Sequence, residues 1–222
     1  MKPETRDFLE KARVELADAR KIADVSNNAL RQRILTAVLS DLFDVRVMGN
    51  TVRAHYVEHM VGEMLGEDFT LTKPWVGWDI DHTSGFKIEV KQSAARQIWT
   101  LPESKPSKGI FDIAERTGYF ADGGNAFVKK VGRSADLYIF AWHALWSIND
   151  PIEAGDTDQR DPAQWQFLAV PTLKLPANQK TITWKAAIVL GSVVRFERLR
   201  ECVLLAMGEI SREQREAPSQ GR

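Results

Sequence analysis

The segment running from Trp78 to Gln92, Trp-Asp-Ile-Asp-His-Thr-Ser-Gly-Phe-Lys-Ile-Glu-Val-Lys-Gln, constrains this chain more than any other. Its second half alternates Phe86, Ile88 and Val90 against Lys87, Glu89 and Lys91, the period of a half-buried strand. Its first half sets Trp78 and Ile80 against Asp79 and Asp81, and His82–Gly85 supplies the turn between the two. Successive strand side chains leave on opposite faces, so Ile88 and Val90 enter a core while Glu89 and Lys91 stand side by side. Two or three carboxylates and one ammonium therefore gather on one sheet surface.

That combination suits a magnesium site with a lysine beside it. Magnesium is held by one or two carboxylates, with substrate phosphate and water completing its shell. Such an ion polarises a phosphodiester and acidifies a bound water. A neighbouring lysine orients that water or neutralises charge gathering on the phosphate. The competing reading is a solvated hairpin whose Asp and Lys side chains pair across strands for a few tenths of a kcal/mol.

Asp79, nine residues, then Glu89-Val90-Lys91 resembles the active-site signature of the PD-(D/E)xK nuclease superfamily, the restriction-endonuclease-like fold. Trp78 stands where the name has proline, and Gly77-Trp78-Asp79-Ile80 is similar to the family's strand entering the catalytic Asp. Members commonly add a Glu from the preceding helix. Thr51–Leu65 has a helical apolar stripe (Val52, Tyr56, Val57, Met60, Val61, Met64, Leu65) with Glu58 on its flank. The resemblance covers residues 50 to 142, with close matches at four positions. It implies a Mg2+-dependent endonuclease acting on DNA, with Mn2+ as a substitute. Asp79, Glu89 and the Val90 carbonyl would be metal ligands, Lys91 would position or activate water, and Glu58 would support a bound water or a second ion. It also implies an α/β core with a central mixed sheet flanked by helices, and dimers are common among enzymes that cut both strands.

Two other functions compete. One is a nuclease-like domain that binds nucleic acid without cutting it; the full set of Asp79, Glu89 and Lys91 argues against it. The other follows from His55-Tyr56-Val57-Glu58-His59, which matches the His-x-x-Glu-His motif of a class of zinc proteases. Histidines four apart on a helix can bind zinc with Glu58 as base, but residues 117–152 hold no glutamate to complete the ligand set.

The remainder of the chain bounds these readings. Thirty basic and thirty acidic residues give no global field toward nucleic acid or membrane, so any phosphate-binding surface is local. Candidates are Lys87, Lys91, Arg96, Lys105 and Lys108 around the motif strand, then Lys129, Lys130 and Arg133 in a loop, with Trp99 and Gly123-Gly124-Asn125 as DNA-contacting elements. Cys202 is the only cysteine, which excludes intrachain disulfides and a zinc–thiolate cluster. No run approaches a membrane span and the N-terminus lacks an apolar signal core, so a cytoplasmic protein is the expectation.

Residues 1–48 read as a helical extension packing on the core: one helix over 4–24, a break at Ser26-Asn27-Asn28, then a second helix, the pair offering a homodimer surface. Residues 49–210 read as the nuclease-like α/β domain, with Asn50 capping the Glu58 helix, a short helix over 110–117, strands at 135–142 and 165–170, an exposed loop over 147–164, a short strand at 193–195 and a helix from Glu197 to Met207. Residues 211–222 read as a disordered tail.

Overall fold

Apolar alternation builds a five-stranded mixed sheet whose two faces carry separate cores. The computed structural model describes residues 3–73, 76–101, 104–121, 126–145 and 157–216. The chain divides into two units, residues 1–45 and 46–222.

The first unit is one helix, α1 (Pro3–Phe43), rather than the expected pair. Ser26-Asn27-Asn28 lies inside it. Each such residue costs roughly 0.5 kcal/mol against alanine in a helix, and without Gly or Pro the three do not break it. Leu30, Ile34, Leu35, Val38, Leu39 and Leu42 on this helix are exposed.

The second unit opens with α2 (Asn50–Leu65), followed by β1 (Phe69–Leu71), β2 (Ile80–His82) and β3 (Lys87–Ala94). The next strands are β4 (Ile110–Asp112), β5 (Arg116–Ala121), β6 (Ala126–Gly132), β7 (Leu137–His143) and β8 (Trp165–Pro171). Strand β9 (Thr181–Thr183), the single-turn helix α3 (Trp184–Ala187) and helix α4 (Leu199–Glu216) complete it. The central sheet has the order β1-β2-β3-β7-β8. All its neighbours are antiparallel except β3 and β7, which run parallel with Glu89 opposite Tyr138 and Lys91 opposite Phe140. Every residue of β7 is buried, as its apolar sequence requires of a strand covered on both faces.

One face carries Ile80, Ile88, Val90, Leu137 and Ile139 against Val57, Val61 and Leu65 of α2 and Leu199, Val203 and Ile210 of α4. The opposite face carries Tyr138, Phe140, Trp142, Leu168 and Val170 beneath Phe111, Ile182 and Ala187. This second cover is the β4–β9 ribbon with α3, where a helix was expected. Ile110–Thr117 is therefore a correction: Phe111 lies opposite Ile182 in an antiparallel pair and buries its ring against Phe140, which a β-favouring Ile-Phe-Asp does more readily than a helical turn.

Smaller departures have local causes. Gly49 occupies the N-cap of α2, while the Asn50 amide oxygen instead accepts from Arg53 and Gln92. Thr157 and Gln159 are buried within the segment expected to be an exposed loop, because Gln159 bonds Met48 and Arg96. Residues 146–156 lie outside the described residues. Val194 contributes an isolated bridge to Phe167 in place of a strand. Helix α4 extends to Glu216, further than the expected end at Met207 and into the segment read as tail.

Candidate functional site

The pairing of β2 and β3 decides where the charged residues go. Ile80 faces Ile88 and Asp81 faces Lys87, and the regular ladder ends there, with the Asp79 amide donating to the Ile88 carbonyl at 2.9 Å. The Asp79 side chain meets Glu89 and Lys91 in one cavity. Gly85 at φ +90° closes the turn, a conformation that glycine adopts without strain.

Asp79, Glu89 and Lys91 line one cavity together with Asp112, Arg116, Tyr119 and Tyr138. A second opening on the same residues is lined by Glu58, Asp79, Val90, Lys91, Gln92 and Asp112, so α2 does bring Glu58 to the motif. The Val90 amide donates to Asp79 Oδ2 at 2.7 Å and fixes that carboxylate beside the strand. Since Ile88 directs its carbonyl toward β2, the two-residue strand period places the Val90 carbonyl on the same edge. Lys91 Nζ donates to Glu89 Oε1. Asp81 turns away, accepting from the Trp78 indole at 2.7 Å.

Burial dominates the electrostatics. It pushes the carboxyls of Asp79, Glu89 and Glu58 above their usual range; Asp79 adds repulsion at Glu89, and Glu58 adds repulsion at Asp79. Burial draws the Lys91 ammonium down, but Glu89, Asp79 and Asp112 together more than offset it and leave Lys91 raised. Lys91 is thus a held cation, not a neutral base, while it pairs with Glu89. Burial pushes the Asp112 carboxyl up, but the Ala114 amide, its partner Arg116 and Lys91 together hold it below its ordinary value.

The donor chemistry fits a hard cation: half-buried carboxylates from two strands and a helix, with a strand carbonyl among them. Among the described residues, no group of three or more His, Cys, Asp or Glu side chains is arranged as a ready metal cage. A magnesium site built from two carboxylates, a carbonyl and water does not need one. The two histidines of the zinc-protease motif are used differently from each other. His55 Nδ1 lies 3.4 Å from Glu58 Oε2, whereas His59 lines an apolar cavity with Tyr56, Met60, Met64 and Phe196.

Several residues were not visible as site members from sequence. Asp112, Arg116 and Tyr138 arrive through long-range pairing and carry no spacing signal. Arg133, expected to grip phosphate, is occupied by the backbone carbonyls of Ile113 and Pro176. Lys129 and Lys130 lie in strand β6 and not in a loop. Trp99 is exposed, and Gly123-Gly124-Asn125 lies outside the described residues.

No protein-family model matches the chain, and no curated protein is significantly similar to it. Among the described residues, no helix is long and apolar enough to cross a membrane.

Proposed function

We propose that the chain is a metal-dependent endonuclease that hydrolyses phosphodiester bonds in DNA, with a restriction-endonuclease-like core. The observation that carries this reading is the convergence of Asp79, Glu89, Lys91 and Glu58 around two adjoining cavities that share Asp79 and Lys91. Four acids, Glu58, Asp79, Glu89 and Asp112, share these cavities with Lys91 and Arg116, and His55 stands beside Glu58. Burying carboxylates without matching positive charge is costly, and a charged surface hairpin has no reason to incur that cost. A divalent cation and a phosphate would together balance it.

In this reading Asp79, Glu89 and the Val90 carbonyl hold Mg2+, or Mn2+ in its place, and Glu58 supports a water or a second ion. The ion polarises the phosphodiester and acidifies water. The Val90 amide keeps Asp79 oriented before any ligand arrives. Lys91, fixed by Glu89, is placed to orient the attacking water and to neutralise charge on the phosphate. Arg116, on the wall of the cleft, is available to a phosphate oxygen once it leaves Asp112.

The test is incubation of the purified protein with plasmid, linear and single-stranded DNA in Mg2+ or in EDTA. Cleavage is expected in Mg2+ alone. Lys91→Ala is expected to keep DNA binding nearly unchanged and to lower single-turnover cleavage by roughly 100-fold, the scale of lost electrostatic or proton-transfer help. A wild-type cleavage rate for Lys91→Ala would remove the reading.

A further inference from the structure

The hairpin β5–β6 is secured at one face and bare at the other. On the inner face Tyr119 packs edge-on against Trp78 with ring centroids 5.3 Å apart. A Cβ on Gly77 would come within 2.5 Å of Tyr119 Cβ, so the backbone entering Asp79 touches the hairpin directly. Val76 also bridges to Phe120. The base of the ribbon, Arg116 to Tyr119, forms a wall of the cleft that holds Asp79 and Glu89.

The outer face is different. Phe120 lies opposite Phe127 and Gly118 opposite Lys129, and directly paired residues share a face. Phe120 is 39% exposed and Phe127 55%. The two phenyl rings stand 5.2 Å apart. A Cβ on Gly118 would lie 2.6 Å from Phe127 Cζ, so this glycine gives the Phe127 ring its seat. Two strands alone are marginal in water, and exposing two rings on them adds to the cost. Lys129 shares this face with the rings and is exposed. Two aromatic rings with a cation alongside, on a hairpin whose base lines the cleft, match the chemistry of a strand with unpaired bases: rings stack on bases and the ammonium meets phosphate.

We propose that this hairpin is the arm over which a nucleic-acid strand with unpaired bases enters the cleft, so that the preferred substrate is a junction between duplex and single strand. The inference rests on the nuclease reading for the chemistry at the cleft, but it concerns binding and is measured apart from cleavage.

Fluorescence anisotropy tests it with three labelled DNAs of one sequence: single strand, blunt duplex and duplex with a single-stranded tail. The full chain carries Lys91→Ala, and Mg2+ is present. Single strand and tailed duplex are expected to bind more tightly than blunt duplex. Phe127→Ala should weaken those two by about tenfold, the scale of losing one stacked base, and blunt duplex by less than twofold. Phe127→Tyr should restore binding, and Lys129→Glu should weaken all three DNAs with a shallower salt dependence. Unchanged melting of each variant confirms folding, which the exposure of Phe127 favours. Tightest binding to blunt duplex overturns the proposal, as does wild-type affinity of Phe127→Ala for the tailed duplex. If the native sequence then cleaves DNA in Mg2+, only the hairpin inference has failed. Stacking-dependent binding without any cleavage would uphold the arm and remove the nuclease.

Discussion

Asp79 is the residue at which stability and function oppose each other. Its folded carboxyl is raised by burial above the unfolded value of about 3.9, and Glu89 is raised in the same way from about 4.3. Between the unfolded and folded values the folded state binds more protons, so these groups favour folding at low pH. That advantage is lost as pH rises through the raised folded values. Asp79→Asn, which keeps an oxygen for the Val90 amide, is therefore expected to raise the melting temperature in EDTA at pH 8 and to change it little at pH 4. A lower melting temperature at pH 8 would show that the carboxylate is compensated within the fold. Added Mg2+ should stabilise the wild type more at pH 8 than at pH 5, because the ion binds only the deprotonated form, and should not stabilise Asp79→Asn to the same extent.

Between elements, the most demanding contact is Arg53. It is 1% exposed, and burial lowers its pKa to about 10. Its guanidinium donates to Gln92 at 2.7 Å, Asn50 at 2.7 Å, Gln97 at 3.1 Å and the Met48 carbonyl at 3.3 Å, all of them neutral. These bonds tie the first turn of α2, which carries Glu58 one turn later, to the end of β3 just beyond Lys91. Arg53→Ala strands several buried acceptors and should cost roughly 3 kcal/mol, read as a lower urea midpoint at constant slope. Arg53→Lys retains the charge without the planar fork and should recover only part of it. A change within 0.5 kcal/mol for Arg53→Ala would mean that water replaces the guanidinium there. The strands and helices of this region were legible because their periodicity is local: β2, β3, β7 and β8, and the Glu58 helix, follow from alternation and spacing. The β4–β9 ribbon was not, because a three-residue strand acquires its identity from a partner some 70 positions away, and Ile-Phe-Asp-Ile reads equally well as helix. The Asp79–Glu89–Lys91 face was legible for the same local reason, whereas Asp112, Arg116 and Arg53 join the region through tertiary pairing.

At the scale of the molecule, both cores draw, among the described residues, on 56–210, which predicts that residues 46–222 fold without α1. The truncated chain is expected to melt cooperatively, near the temperature of the full chain, and non-cooperative melting would refute this. If the exposed leucines of α1 serve a homodimer, the full chain will sediment as a dimer and the truncation as a monomer. The sheet order has a further consequence, in time instead of space. Glu89 and Lys91 are aligned by the parallel pairing of β3 with β7, strands joined by a crossover of more than forty residues that includes the whole β5–β6 hairpin. Closing such a loop is slow relative to hairpin formation, and chains rich in these contacts fold in milliseconds to seconds. The β2–β3 turn can form in microseconds and bring Asp79 to the Val90 amide, next to Glu89. The cleft wall from β4, β5 and Tyr138 arrives only with the crossover. A nascent chain would thus display the motif's charges well before it could bury them, and catalytic competence would be among the last properties this protein acquires as it folds.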